Sequence, residues 1–224
     1  MMALACIPPA FAQTYPAHLL DAPFTANWSQ TTTHNATTST QSGVIARASN
    51  GSTYMTFSDS HFPGPGGIYR IEIDDLPNNR HITLHPGRSS NSYYLGPLGN
   101  ARTFTLQSNA RMLQQLQDSY LQRPDRTKPD GQAHETALGV KRQEGLTLFG
   151  HRSEFTSTKG ETRTDEMWDS DLGIVVTLKD VVPAEAKESI FSVTDIRRVE
   201  PDPKLFEIPE GYRANGATTT KPIN

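Results

Sequence analysis

His81 and His85 stand four residues apart in "NNRHITLHPG", the spacing that places two imidazoles on one face of a helix, where they can share a metal ion. The flanking turn residues and β-formers predict a strand instead, and on a strand the rings lie roughly 13 Å apart, too far for one ion. Asp59-Ser60-His61 holds the residue types of a hydrolytic triad. Neighbours on a strand point to opposite faces, however, and no nucleophile-elbow motif surrounds them, so a solvated loop is expected. "FPGPGGIY" is rich in glycine but leads into a strand, not into a helix N-terminus whose amides could cradle phosphate, and it reads as a turn. Glu161, Asp165, Glu166, Asp169 and Asp171 offer oxygen ligands for calcium without the spacing of a calcium loop; charged strand ends are the plain alternative. No catalytic residue, metal set or cofactor motif emerges, which predicts a protein that binds and does not catalyse.

The aromatic residues make a better case for a site. Glu166, Trp168 and Ser170 alternate on one side of a strand, and Trp168 is either a core residue or part of an apolar, ligand-binding groove with Phe24, Trp28 and Tyr54.

These residues need elements to hold them. "PFTANWSQ" alternates Phe24, Ala26 and Trp28 on one face, as a half-buried strand does. Eight of residues 31 to 42 are Ser or Thr, which predicts a strand fraying into a loop. Asn50-Gly51, between two β-prone runs, predicts a hairpin with a type I′ turn. "GIYRIEI", "RHITLH", "SNSYYLG", "GLTLFGHRSEFTS", "TRTDEMWDS", "LGIVVTLKD" and "ESIFSVTDIRRVE" continue the strand pattern. The one helix is "SNARMLQQLQDSYLQR", with Met112, Leu113, Leu116 and Tyr120 on one side and Ser108 as N-cap. Residues 123 to 132 read as an exposed loop. After the last strand, Pro201 and Pro203 forbid helix and remove ladder donors, so the chain leaves the sheet extended. Leu205, Phe206 and Ile208 then cover an open edge, with Phe206 largely buried and Glu207 in water.

At 224 residues the chain suits one domain that buries roughly 70% of its unfolded surface. Lysines and arginines number 21 against 24 acidic residues, with no basic run, which argues against nucleic acid. No stretch reaches the roughly 20 apolar residues of a membrane span. "MMALACIPPAFAQ" is apolar and ends in Ala10-Phe11-Ala12, a signal-peptidase pattern, although the basic residue that normally opens a signal peptide is missing. A frayed apolar terminus, or a lipid anchor on Cys6, are the alternatives. Cleavage after Ala12 removes Cys6, the only cysteine, and leaves a mature chain without disulfides. The expected layout is a signal peptide over residues 1–12, a β-rich domain over 13–213 and a flexible tail over 214–224.

Glu144-Gly145, Gly150-x-Arg152, Glu166-x-Trp168-x-Ser170-x-x-Leu172 and Glu200-Pro201-Asp202-Pro203-x-Leu205-Phe206-x-x-Pro209 resemble a group of uncharacterised exported proteins of acidobacterial type. Strand order and the closing "LFEIP" are also similar to periplasmic carriers and regulators of the LolA and RseB type. That resemblance implies a mainly β (α+β) fold: a curved antiparallel sheet, an unclosed half-barrel, with one packing helix. The signal-peptide pattern predicts a periplasmic or secreted protein, and a half-barrel too open to be filled by its own side chains predicts binding of a lipid or another apolar molecule, with an envelope protein as partner the alternative.

Overall fold

The computed structural model describes residues 16–62, 65–86, 91–98 and 103–215. The expected signal peptide, Cys6 and residues 216–224 of the expected tail lie outside them. In chain order the strands are β1 (His18–Leu19), β2 (Phe24–His34), β3 (Thr37–Arg47), β4 (Thr53–Asp59), β5 (Ile68–Asp75), β6 (Arg80–His85), β7 (Ser92–Pro97) and β8 (Thr103–Phe104). Helix α1 (Leu106–Gln122) follows, and then β9 (Asp125–Lys128), β10 (Gly131–Gln143), β11 (Leu146–Ser157), β12 (Thr162–Ser170), β13 (Val175–Val182), β14 (Lys187–Arg197) and β15 (Arg213–Ala214). Strands β1 and β8 form a parallel pair. The other thirteen belong to one sheet of order β15-β7-β6-β5-β4-β3-β2-β14-β13-β12-β11-β10-β9, whose end strands β15 and β9 do not pair with each other among the described residues. The expected class, a mainly β open sheet with one packing helix, is the fold of this chain.

Turn chemistry explains why neighbours in sequence are neighbours in the sheet. The Ser/Thr-rich stretch does not fray: β2 and β3 are joined by Asn35-Ala36 alone, both at positive φ (48° and 62°), as a two-residue hairpin loop requires. Glu144-Gly145 joins β10 to β11 in the same way, at 51° and 76°. The hairpin expected at Asn50-Gly51 is present as β3 and β4, but only Gly51 is left-handed (φ 84°). Its amide donates to Ala48 O (2.9 Å), so the connection is a longer turn ending in a left-handed glycine instead of type I′.

The chain forms two compact units. The tail-bearing unit contains β3 to β8, β15 and most of β2. Phe24, Ala26 and Trp28 sit on one buried face of β2 as the alternation predicts. Trp28 packs edge-on against Phe57, with ring centroids 5.3 Å apart, and its indole N–H donates to Thr56 O (2.9 Å). Gly43 has to be glycine, because a Cβ there would stand 2.0 Å from that same oxygen. Arg47 is fully buried and donates from Nε and Nη2 to Ala22 O (2.9 and 2.7 Å) with its guanidinium 5.0 Å from the Phe24 ring; burial lowers its pKa to about 9.

The helix-bearing unit contains α1, β9 to β13 and most of β14. Helix α1 begins before Ser108, so that residue is not its cap. Its buried stripe is Asn109, Leu113, Gln117 and Tyr120, while Met112 is exposed and Leu116 half-buried. Asn109 donates to Ser170 O and Asp171 O (3.2 and 2.9 Å), and Gln117 donates to Gly150 O (2.7 Å). Two amides thus take positions the apolar pattern assigns to Met112 and Leu116.

The expected loop over residues 123 to 132 is in part the end strand β9, paired with β10 from Lys128↔Gly131 to Asp125↔His134. Its side chains explain why so polar a segment is a strand: Asp125 Oδ1 lies 2.7 Å from His134 Nδ1, Arg126 covers Tyr120 and Lys128 covers Phe155. The tail corrects two further expectations. Pro203 opens a 3₁₀ turn, Pro203–Phe206, where its fixed φ and missing N–H are tolerated, and Asp202 caps it by accepting from Lys204 N (3.0 Å). The chain then does pair, through β15 parallel to β7.

Candidate functional site

Strands β4 to β7 of the tail-bearing unit have two unlike faces, and residue alternation sorts them. Tyr54, Ile73, Ile82 and Leu95 oppose one another across the four strands, with Ile71, Leu84 and Tyr93 beside them on the same face. Ile73, Ile82 and Leu84 are fully buried, and Tyr54, Ile71, Tyr93, Phe206, Ile208 and Tyr212 pack around them partly exposed. Tyr54 meets Phe206 edge-on at 6.4 Å, and burial raises the pKa of the Tyr54 hydroxyl. Leu95, at the rim, is 54% exposed. Phe206, expected to be largely buried on an extended segment, is half-buried at the end of a 3₁₀ turn; Glu207 is exposed as expected. Glu200 holds the root of the tail to the β3–β4 turn, accepting from Ser49 N (3.1 Å) and Ser49 Oγ.

The other face carries charge. His81 Nδ1 is 2.6 Å from Asp74 Oδ1 and its Nε2 is 2.8 Å from Glu72 Oε2. Both partners can only accept, so the ring is an imidazolium, and the bonds to Asp74 and then Glu72 raise its pKa to about 10. Arg70 Nε stands 3.3 Å from Glu72 Oε1, and His18 Nε2 stands 3.5 Å from Asp74 Oδ2. His81 is therefore clamped between carboxylates and does not bind with His85, which instead meets Tyr94 edge-on. Asp59 and His61 form an exposed pair at 3.0 Å that lowers the Asp59 pKa, chiefly through the His61 backbone amide.

The four aromatic candidates part company. Phe24 and Trp28 are sealed in the core, at 0% and 2% exposure. Tyr54 turns to the face opposite Phe57, against which Trp28 packs. Trp168 belongs to the helix-bearing unit, half-buried and lying over Gly150, where an added Cβ would come within 2.7 Å of its ring; Lys141 Nζ caps it at 3.7 Å. An aromatic side chain covering a cross-strand glycine is a known device of sheet stabilisation. Glu166, beside it, pairs with Arg152 (2.7 Å), while Asp165 and Asp169 point to the opposite face, so alternation splits the acidic set. The apolar half of the tail-covered face is readable as Ile and Tyr at alternate positions, and Phe206 and Ile208 pack back onto the sheet as the tail's apolar residues predict, but over this face and not at an edge; the part of Tyr212 is not readable locally.

No family model and no characterised protein matches the chain in sequence. Solved structures similar to it include an uncharacterised conserved protein from Thermus thermophilus (8% identity, 88% of this chain and 92% of that one, TM-score 0.46). A LolA-superfamily protein from Nitrosomonas europaea is similar at 10% identity over 84% of this chain and 91% of its own, TM-score 0.42. MucB of Pseudomonas aeruginosa, solved in complex with MucA, is similar at 12% identity over 84% of this chain, TM-score 0.41; the chain spans 57% of MucB's length. It spans 31% of PNGF-II, which is also similar. The architectural resemblance to LolA- and RseB-type proteins is thus found among solved structures, at the level of fold alone.

Proposed function

We propose that the protein is an exported, non-enzymatic binding protein whose ligand is apolar, such as a lipid acyl chain, and that the ligand lies on the tail-covered face of β4 to β7. One observation carries this reading: a face with a fully buried floor, Ile73, Ile82 and Leu84, is covered only in part, and its apolar surface runs out to Leu95, 54% exposed. Apolar surface left in water at the rim of a formed core favours an apolar partner at about 25 cal/mol per Å². Among the described residues no helix is long and apolar enough to cross a membrane. Export rests on the signal-peptide pattern, and N-terminal sequencing of the protein from its own host tests it.

Native mass spectrometry of that same material tests the ligand. An acyl-chain adduct is expected, and a bare polypeptide mass counts against the reading. Leu95→Glu is expected to weaken binding of a fatty-acid probe about tenfold, roughly 1.4 kcal/mol, at an unchanged melting temperature; unchanged affinity would remove this face from consideration. A protein partner is the second reading, favoured by β9, an end strand with all four residues exposed. Recovery of one stoichiometric envelope protein that is lost on Thr127→Pro would move the function there.

A further inference from the structure

Among the described residues strand β9 pairs with β10 alone, and all of its residues are exposed. One bond fixes which way its backbone points. Glu135 N donates to Pro124 O (2.7 Å), so Pro124 and Glu135 are a hydrogen-bonded pair of the antiparallel ladder. Hydrogen-bonded and non-hydrogen-bonded pairs alternate along such a ladder. Arg126 and Lys128 therefore turn their backbone groups toward Ala133 and Gly131 of β10, while Asp125 and Thr127 turn theirs outward. The outer edge of β9 presents the N–H and C=O of both residues to water, with Pro124 and Pro129 just beyond its ends.

The side chains give that edge a sign. Arg126 and Lys128 share the face of Ala133 and Glu135, and each lies over a ring: Arg126 Cζ is 5.1 Å from the Tyr120 centroid and Lys128 Nζ 5.5 Å from that of Phe155. A ring orients a cation without neutralising it. Among the described residues neither cation has an ion-pair partner. Glu135, the carboxylate on this face of β10, takes a hydrogen bond from Ser153 Oγ (3.3 Å). Asp125 lies on the opposite face, 2.7 Å from His134 Nδ1.

A second copy of the chain fits this edge badly. The two-fold antiparallel register that pairs Asp125 with Thr127 in both directions sets the two Arg126 side chains opposite each other. The next register that the hydrogen-bond pattern allows sets Arg126 opposite Lys128. Like charges across a rung repel, which is how basic residues protect an edge from its own kind. The same arrangement favours a strand of opposite charge, whose residues facing Arg126 and Lys128 stand two apart and on one face. We propose that the open edge of β9 takes up an extended segment of a partner protein with carboxylates at alternate positions, hydrogen-bonded to Asp125 and Thr127 and paired in charge with Arg126 and Lys128. This partner chemistry rests on the second reading above, in which β9 holds a protein; the apolar face of the tail-bearing unit is independent of it.

Two end-blocked synthetic peptides test the edge on the full chain, one alternating threonine with glutamate and the other threonine with lysine. At low salt the glutamate peptide should bind at least about tenfold tighter than the lysine peptide and shift the amide resonances of Asp125 and Thr127. Thr127→Pro, which removes an outward N–H and no bond to β10, should abolish binding. Arg126→Gln combined with Lys128→Gln should erase the difference between the peptides, and melting temperatures show that both variants are folded. Equal binding of the two peptides by the wild type overturns the charge assignment and leaves β9 an edge that reads backbone alone. No binding of either peptide, or binding that survives Thr127→Pro, overturns the β9 reading as well. A wild-type dimer in sedimentation that Thr127→Pro dissociates gives the edge to a second copy and also overturns the proposal.

Discussion

The two units handle buried charge and large aromatic rings in opposite ways. In the tail-bearing unit His81 sits between Asp74 and Glu72 and stays protonated to about pH 10. In the helix-bearing unit His151 is lowered and Asp169 raised, because burial outweighs a single partner at 3.9 Å. The two tryptophans differ in burial: Trp28 fills a core, whereas Trp168 covers a glycine, donates a hydrogen bond to Glu166 and is half-buried. For the two histidines, the carboxylates within hydrogen-bond reach, and not the residue type, decide which way burial and pairing move the pKa.

The tryptophans offer the largest test of that contrast. Trp28→Ala should cost about 3 to 5 kcal/mol, from the lost volume and an unpaired Thr56 carbonyl. Trp168→Ala should cost about 1 to 2 kcal/mol. Denaturant midpoints of the two variants measure the difference, and equal losses would break the comparison.

Titration sharpens it next. The folded-state pKa of Asp169 lies above its unfolded value of 3.8, so the native state binds the extra proton between about pH 4 and 6, and this group's cost to stability is greatest above pH 6. Asp169→Asn should therefore stabilise the protein near pH 7 by up to about 3 kcal/mol, with the gain vanishing below about pH 4. His81 has the opposite sign: its contribution is fully present below about pH 6.5 and is lost as pH rises through about 10. His81→Gln should lose stability at neutral pH and flatten the alkaline limb. Paired melts from pH 4 to 10 read both, and an Asp169→Asn variant no more stable than wild type at pH 7 would refute the first.

The smallest effects concern the tail. Phe206→Ala should lower stability by about 1 to 2 kcal/mol, reflecting half-burial, and Glu207→Ala should change it hardly at all. Equal thermal melts for wild type and Phe206→Ala would make the tail a loose appendage.

Much of this architecture is legible in residue order, because alternation and turn chemistry are local. Phe24, Ala26 and Trp28 announce their strand, and Leu113 and Tyr120 their helix. What escapes is set by distant partners. Asn109 and Gln117 look like surface residues until Ser170, Asp171 and Gly150 offer carbonyls, and Arg47 looks exposed until Ala22 and Phe24 receive it. Strand β9 looks like a loop because its stabilising contacts run to β10, Tyr120 and Phe155. Of the site aromatics, composition separates none: Tyr54 differs from Trp28 only in which face of the sheet its strand position turns toward.

The two rungs of β15 on β7 join Arg213 to Ser92 and Ala214 to Tyr93. Most other pairings in the sheet link consecutive strands through short turns and close small loops, whereas this one closes a loop of over a hundred residues, with a correspondingly larger entropic penalty. Loop closure alone therefore predicts that the apolar face of β4 to β7 assembles before its cover arrives, with Ile73, Ile82 and Leu84 meeting the solvent in that interval. A chain synthesised or threaded from its N-terminus prolongs the interval further, so the order of events in time, and not the finished packing, decides what first touches that face.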